Sequence, residues 1–308
     1  MTTATASPEI GVAPIEIRGL HKEYGHGDGV HGLDLTIPEG CSFGLLGPNG
    51  AGKSTTIKVL MGLTPPTSGE VRVLGHDVRS NAHEIRLRVG YVPERHHIYP
   101  WMTIAEVLWF TRSFYPHWDD ALCETMLREY GLDPRKKVKQ LSHGMTTKLA
   151  LILALCHDPD MLILDEPTTG LDPLIREEFL EGVNRLIQIR PRTVLFSSHI
   201  MSDIEKVADT IGIINEGRLL VCASRDDLLE KTRDITVTLK PSSDSIPRPD
   251  SAILFDTQDR VVSLTVFDMS ETELATLRSN PHVERVEVSP LNLEAIFKAF
   301  IKGARRAA

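Results

Sequence analysis

The stretch Gly47-Pro-Asn-Gly-Ala-Gly-Lys-Ser54 constrains this chain more than any other, because of what flanks it. An apolar run, Ser42 to Leu46, leads into it, and Thr55 to Leu63 follows with Ile57, Leu60 and Met61 at helical spacing. Gly62 and the breaker run Thr64-Pro-Pro-Thr-Ser-Gly then end the helix. Strand, glycine-rich loop and helix in that order build a phosphate cradle. Small residues let the backbone wrap the anion, so that successive N–H groups and the positive end of the helix face it. Gly47, Pro48, Asn49, Gly50, Ala51, Gly52, Lys53, Ser54 and Thr55 are the expected phosphate-binding set. Lys53 is placed to neutralise the β- and γ-phosphates of a nucleoside triphosphate, and Ser54 to ligate Mg²⁺. A glycine-rich turn that carried Lys-Ser by coincidence would need neither the strand before it nor the helix after it.

Met161-Leu-Ile-Leu-Asp-Glu166 reads as a short buried strand ending in adjacent carboxylates. Beside a phosphate loop, Asp165 is expected to serve the metal and Glu166 to act as general base on an attacking water. The plainer reading is two acids capping the next turn. The loop upstream favours chemistry.

At 308 residues the chain suits a main domain with a smaller appendage. With 41% hydrophobic and 25% charged residues it is ordinary globular material. A net charge of −8 with dispersed Lys and Arg disfavours direct nucleic-acid binding, which calls for a clustered basic face. Cys41, Cys123, Cys156 and Cys222 stand far apart, against a disulfide framework or a cysteine-based zinc site and in keeping with a reducing cytoplasm. Residues 1–13 are small and polar, and are expected to form a flexible tail rather than a signal peptide. Apolar stretches such as Ala150 to Cys156 fall far below the roughly 20 residues that span a bilayer, so any membrane work is expected of another chain.

Short β-like runs, among them Ile15-Glu-Ile-Arg and Leu33-Asp-Leu-Thr-Ile, alternate with turns up to Val73. Residues from about 97 to 158 read as mostly helical. Met161 to Leu164 and Thr193 to Ser197 read as parallel strands, Gly212 to Val221 as a hairpin, and Arg225 to Thr232 as a short helix. The main domain is therefore expected over residues 14–232. Beyond it, strands around Ile235 and Val261 and a final helix, Leu293 to Ile301, suggest a small α/β accessory domain over 233–308, the helix packing on its own sheet. Trp101, Trp109, Phe110, Phe114, Tyr115 and Trp118 fall within eighteen residues. They are expected to fill the core of the helical part, or else to line a groove for a partner's helix. Adjacent His96 and His97 lack useful metal-ligand spacing.

Leu141-Ser-His-Gly-Met145 stands about twenty residues before the acidic strand and opens a helical stretch. Here the chain resembles the ABC ATPase family, whose signature normally reads Leu-Ser-Gly-Gly-Gln. Ser142 and Gly144 match, while His143 and Met145 depart. Thr169-Gly-Leu-Asp-Pro173 resembles the family's loop across the dimer interface, Ser197-Ser-His199 its switch histidine, and Tyr91-Val-Pro-Glu94 the loop that reaches the membrane partner. Glu94 stands where glutamine is usual, and Tyr24, 29 positions before Lys53, resembles the aromatic residue that stacks on adenine.

The resemblance implies an α/β fold: an ABC-type P-loop NTPase core with an antiparallel β subdomain and a helical subdomain at about 97–158, plus the C-terminal appendage. It implies ATP and Mg²⁺ as ligands and a dimer, homomeric or with a second ABC ATPase, in which Ser142 and Gly144 of one chain meet the γ-phosphate bound by the other. Asp172 would couple the two sites, His199 would hold the γ-phosphate and orient Glu166, and Glu94 would sense the metal. The Phe114-Tyr-Pro-His-Trp-Asp119 segment and the C-terminal extension resemble bacterial exporters of the ABC-2 type. That implies a separately encoded transmembrane subunit and a place on the cytoplasmic face of the cell membrane. The competing reading is a soluble ABC machine acting on ribosomes or DNA. Such relatives usually carry two cassettes, a long coiled coil or zinc modules, none of which is visible in this sequence.

Overall fold

The computed structural model describes residues 13–25, 29–189, 191–241, 243 and 245–307, so the tail expected over 1–13 lies outside them but for its last residue. Strands β1 (Ile15–Glu23) and β2 (Gly29–Ile37) pair antiparallel, with Ile15, Ile17, Leu33 and Leu35 turned inward at the period of two. Next, β3 (Ser42–Leu46) is buried along its whole length, and α1 (Lys53–Leu60) begins inside the phosphate loop. Strands β4 (Ser68–Val73) and β5 (His76–Asp77) complete a four-stranded antiparallel sheet in the order β2-β1-β4-β5.

Helix α2 (Ala82–Arg88) leads to β6 (Val89–Val92), and the chain then leaves the sheet for a helical excursion. Each helix there starts on a polar cap: a Thr103–Glu106 capping box for α3 (Ile104–Arg112), Asp119 for α4 (Asp120–Glu129) and Ser142 for α5 (His143–Leu155). The chain returns through β7 (Met161–Asp165), α6 (Pro173–Ile189), β8 (Thr193–Ser198), α7 (Met201–Val207), β9 (Thr210–Asn215) and β10 (Arg218–Ser224). The central sheet runs β10-β9-β3-β8-β7-β6, parallel except for β10. Helices on both faces bury β3, β7 and β8 completely, which is why those strands read as unbroken apolar runs.

The aromatic segment corrects the sequence expectation. Trp101 is 64% exposed, Trp109 72% and Phe114 61%, so these rings do not make the helical core. Ile104, Val107, Cys123, Met126, Leu127 and Leu149 do. Trp109 lies five residues past Ile104, about 140° around the helix and away from that core. Tyr99, Trp101, Phe110 and Phe114 instead pack on one another at the surface, with ring centroids 5.0–5.8 Å apart. Tyr115 turns the other way and stacks on His157 at 4.0 Å; burial pushes that imidazole down to about 4, so it packs as a neutral ring.

Helix α8 (Arg225–Lys231) runs straight into β11 (Thr232–Leu239), followed by β12 (Ala252–Gln258), β13 (Val261–Phe267), α9 (Glu271–Ser279), β14 (Val283–Pro290) and α10 (Leu293–Ala307). The sheet order is β12-β13-β11-β14, all antiparallel, over a separate core of Ile235, Val237, Val262, Leu264 and Leu277. Helix α10 does not join that core. It touches its own sheet along edge strand β12 and otherwise lies on α7, α8 and β9. Leu293, Ile296 and Phe300 enter the first domain's core with Ile204, Ile211 and Leu228. The Ile296→Ala variant removes a fully buried side chain there and is expected to cost about 2–5 kcal/mol in urea unfolding. A loss below about 1 kcal/mol would show that the helix is not docked.

Candidate functional site

The phosphate loop is tight because it must be. A Cβ on Gly47 would sit 2.3 Å from the Ile214 carbonyl, and Gly52 holds φ at +103°, a left-handed conformation open to glycine. Lys53 is 4% exposed and curls back under the loop, its Nζ donating to the carbonyls of Gly47 at 2.6 Å and Pro48 at 3.0 Å. The same ammonium lies 3.0 Å from Glu166 Oε1. Lysine, loop and acid are thus joined in one buried cluster.

Strand β7 ends on the two carboxylates. Asp165 Oδ1 accepts from Ser54 at 3.0 Å and from Ser197 at 2.8 Å. Burial pushes its carboxyl up, the two hydroxyls hold it back, and the charge of Glu166 adds to the rise. Glu166 takes a left-handed backbone, φ +48°, and its N–H donates to Ser197 Oγ at 3.0 Å. Such a conformation costs about 1–3 kcal/mol and persists only where the surroundings over-determine it. Here they do, since Oε2 meets His199 Nδ1 at 2.7 Å and accepts from Thr169 Oγ1 at 3.1 Å. Burial pushes the Glu166 carboxyl up, but Lys53 and His199 outweigh it and hold the group below the usual carboxylate range.

A cleft of about 530 Å³ opens over these groups, lined by Tyr24, Gly29, Asn49 through Thr55, Glu94, Glu166, Thr169 and His199. That volume suits a nucleotide. Tyr24, 54% exposed, forms one wall. Gly47 and Pro48, which open the loop, do not line the cleft, and Asp165 lies behind Ser54. Ser142, Gly144 and Asp172 are not brought to this cleft. Ser142 caps α5 through Met145 N, Gly144 lies against Ile175, and Asp172 caps α6 through Ile175 N at 3.1 Å.

Several supporting side chains escaped sequence reasoning. Ser197 and Thr169 stood in segments already singled out, but only the fold aims their hydroxyls at Asp165 and Glu166. Buried Asp203 accepts from Thr168 Oγ1 at 2.5 Å and pairs with Arg176, fixing the loop after Glu166 from behind. Nothing in the chain's linear order marks that set. His143 Nε2 reaches the Thr169 carbonyl at 2.9 Å, tying the start of α5 to the same loop.

The model of the family described as "ABC transporter" matches residues 30–169. Nod factor export ATP-binding protein I of Burkholderia lata is 36% identical over 301 residues, covering 93% of this chain and 96% of its own. The chain belongs to the ABC transporter family. Linearmycin resistance ATP-binding protein LnrL of Bacillus subtilis is 33% identical (91% of this chain, 84% of its own), and bacitracin transport ATP-binding protein BcrA of Enterococcus faecalis 32% (94% and 96%). Among solved structures, the ATP-binding subunit of an ABC transporter is 29% identical with a TM-score of 0.63, covering 70% of this chain and 92% of that one. The dimeric cassette MJ0796, bound to ADP and phosphate, is 22% identical with a TM-score of 0.62 (68% and 98%), a likeness of fold. This ABC subunit binds ATP and hydrolyses it, the hydrolysis being coupled to transport.

The Ser197→Ala variant tests the support under Asp165. Losing a hydrogen bond that holds the carboxyl down lets its pKa rise further, so protonation sets in at higher pH. The acid limb of the kcat/KM profile for ATP is expected to move to higher pH while the plateau changes little; an unmoved limb would detach Ser197 from the reaction.

Proposed function

We propose that this chain powers an ABC-2 type exporter, two cassettes closing on ATP and reopening after hydrolysis to drive a separately encoded membrane subunit. The observation that carries the reading is the division of the site residues. The cleft gathers the phosphate loop, Glu166 and His199, whereas Ser142 and Gly144 lie outside it at the N-terminus of α5. A second copy or second cassette turned to face the first brings its Ser142 and helix end to the γ-phosphate. The names of the relatives, which concern export of Nod factor, resistance to linearmycin and transport of bacitracin, support the exporter class.

In the free protein Lys53 is held by Glu166 and two carbonyls; the γ-phosphate competes for that ammonium. Released from it, Glu166 keeps His199 and Thr169 and takes the proton of the attacking water. The water oxygen bonds to the γ-phosphorus as the bond to the bridging oxygen breaks, and ADP leaves. Ser54, Asp165 and Glu94 offer the hydroxyl and carboxylate oxygens that suit Mg²⁺. An ion held there would supply charge neutralisation to the triphosphate. Tyr24 stacks on the base.

Residues 14–232 act as the ATPase unit, with 97–158 as its helical part, and 233–308 as an accessory domain. The exposed rings of Tyr99, Trp101 and Phe114, packed with half-buried Phe110, lie on the chain beyond Glu94 and favour docking of a helix from the membrane subunit. Among the described residues no helix is long and apolar enough to cross a membrane, in keeping with a peripheral place on the cytoplasmic face.

Glu166→Gln is expected to lower kcat about 10²- to 10⁴-fold and to trap an ATP-bound dimer, seen by mass in solution. Purified from detergent-solubilised cells with ATP and Mg²⁺, it should bring down a multi-spanning membrane protein at near-equal stoichiometry; ribosomes or DNA-bound factors instead would replace the exporter reading. Ser142→Arg should abolish turnover while sparing ATP binding, and unchanged turnover would dismiss the two-chain site.

A further inference from the structure

The outer face of the first sheet carries a cluster that the nucleotide chemistry leaves unused. His21 and His31 are opposed across the β1–β2 ladder, and Glu23, two residues on from His21, shares its face. One donor atom from each of the three lies within 4.8 Å of the other two. Bonds of about 2.0–2.2 Å to a tetrahedral ion place neighbouring donors roughly 3.3–3.5 Å apart, a closure that side-chain rotation supplies. We propose that His21, Glu23 and His31 hold one divalent transition-metal ion of the zinc class. Two imidazoles and a carboxylate, with a fourth position for water, form a borderline donor set that suits Zn²⁺ better than Mg²⁺, which prefers oxygens throughout.

Two of the ligands are held from behind. The His31 backbone N–H donates to the Gly217 carbonyl at 2.8 Å, and its ring packs so closely over Gly217 that a Cβ there would lie 2.8 Å from Cδ2. The His21 ring lies over Gly32 in the same manner, with Nε2 3.5 Å from where a Cβ would stand. Gly217 in turn donates its N–H to Ala51 in the phosphate loop at 2.9 Å. The site is thus joined to the nucleotide cleft by two hydrogen bonds. The ion crosslinks β1 to β2 on either side of Tyr24 and Gly29, both of which line that cleft.

Zinc titrated into the full chain, stripped with a chelator, free of nucleotide and in competition with a chromophoric chelator, tests the proposal. His21→Gln, His31→Gln and the exposed Glu23→Gln are each expected to weaken a wild-type site at least about tenfold, since even loss of a ligand's outer partner costs that much. Zinc should raise the melting temperature of the wild type and not of the variants. Unchanged Mg-ATP turnover in zinc-free buffer certifies their folds. Zinc bound as tightly by all three variants, or not bound by the wild type, overturns the site.

Discussion

The ion pair between Lys53 and Glu166 is the contact on which the rest of the site depends. Both side chains are almost wholly buried, 4% and 6% exposed, and removing two charges from water costs several kcal/mol per ion unless geometry and further hydrogen bonds compensate. The compensation is visible atom by atom. Two loop carbonyls take the remaining donors of the ammonium, and a histidine and a threonine take the second carboxylate oxygen. Taking away either partner alone leaves a charge that is almost wholly buried without its counter-ion. A triphosphate that engaged this ammonium would replace one anion with another at a cation that is already desolvated.

The network continues through the loop that follows Glu166. Thr168 and Thr169 anchor it on opposite sides, the first to Asp203 and the second to Glu166, while its Thr169 carbonyl meets His143 at the head of α5. The signature serine thus stands one residue from a group bonded to the loop of the general base. The departure at position 143 from the family's glycine adds this tie. A residue without a side chain could not make it.

How much of this could be read in advance follows from the range of each signal. The phosphate loop, the buried acidic strand and the parallel strand after it were legible because each is local: a glycine pattern, an apolar run, a second apolar run after a helix. The exposure of Trp101, Trp109 and Phe114 was not, since hydrophobic content alone does not say which side of α3 faces α5; the angular position of Ile104 and Val107 does. The hydroxyl of Ser197 and the carboxylate of Asp203 act over separations of about thirty residues, where only the β7–β8 pairing and the packing of α6 on α7 create the meeting. Helix α10 meets its own sheet along β12 as expected, but its second contact, on α7, α8 and β9, was not legible for a similar reason. Its apolar face was evident, but two cores competed for it, and α9 already covers the nearer one through Leu277.

That destination has a consequence for the order in which the molecule is made. Ile204, Ile211 and Leu228 leave the ribosome well before Leu293, Ile296 and Phe300, the residues that cover them. Domains generally fold as units as they emerge, N-terminal first. The core around Ile204, Ile211 and Leu228 cannot be finished in that way, because part of its wall is encoded near the far end of the sequence, in α10. Until α10 swings back, an apolar flank beside β9 stays open to water and to other nascent chains. Completion of that core thus waits on synthesis of α10, which supplies its last piece.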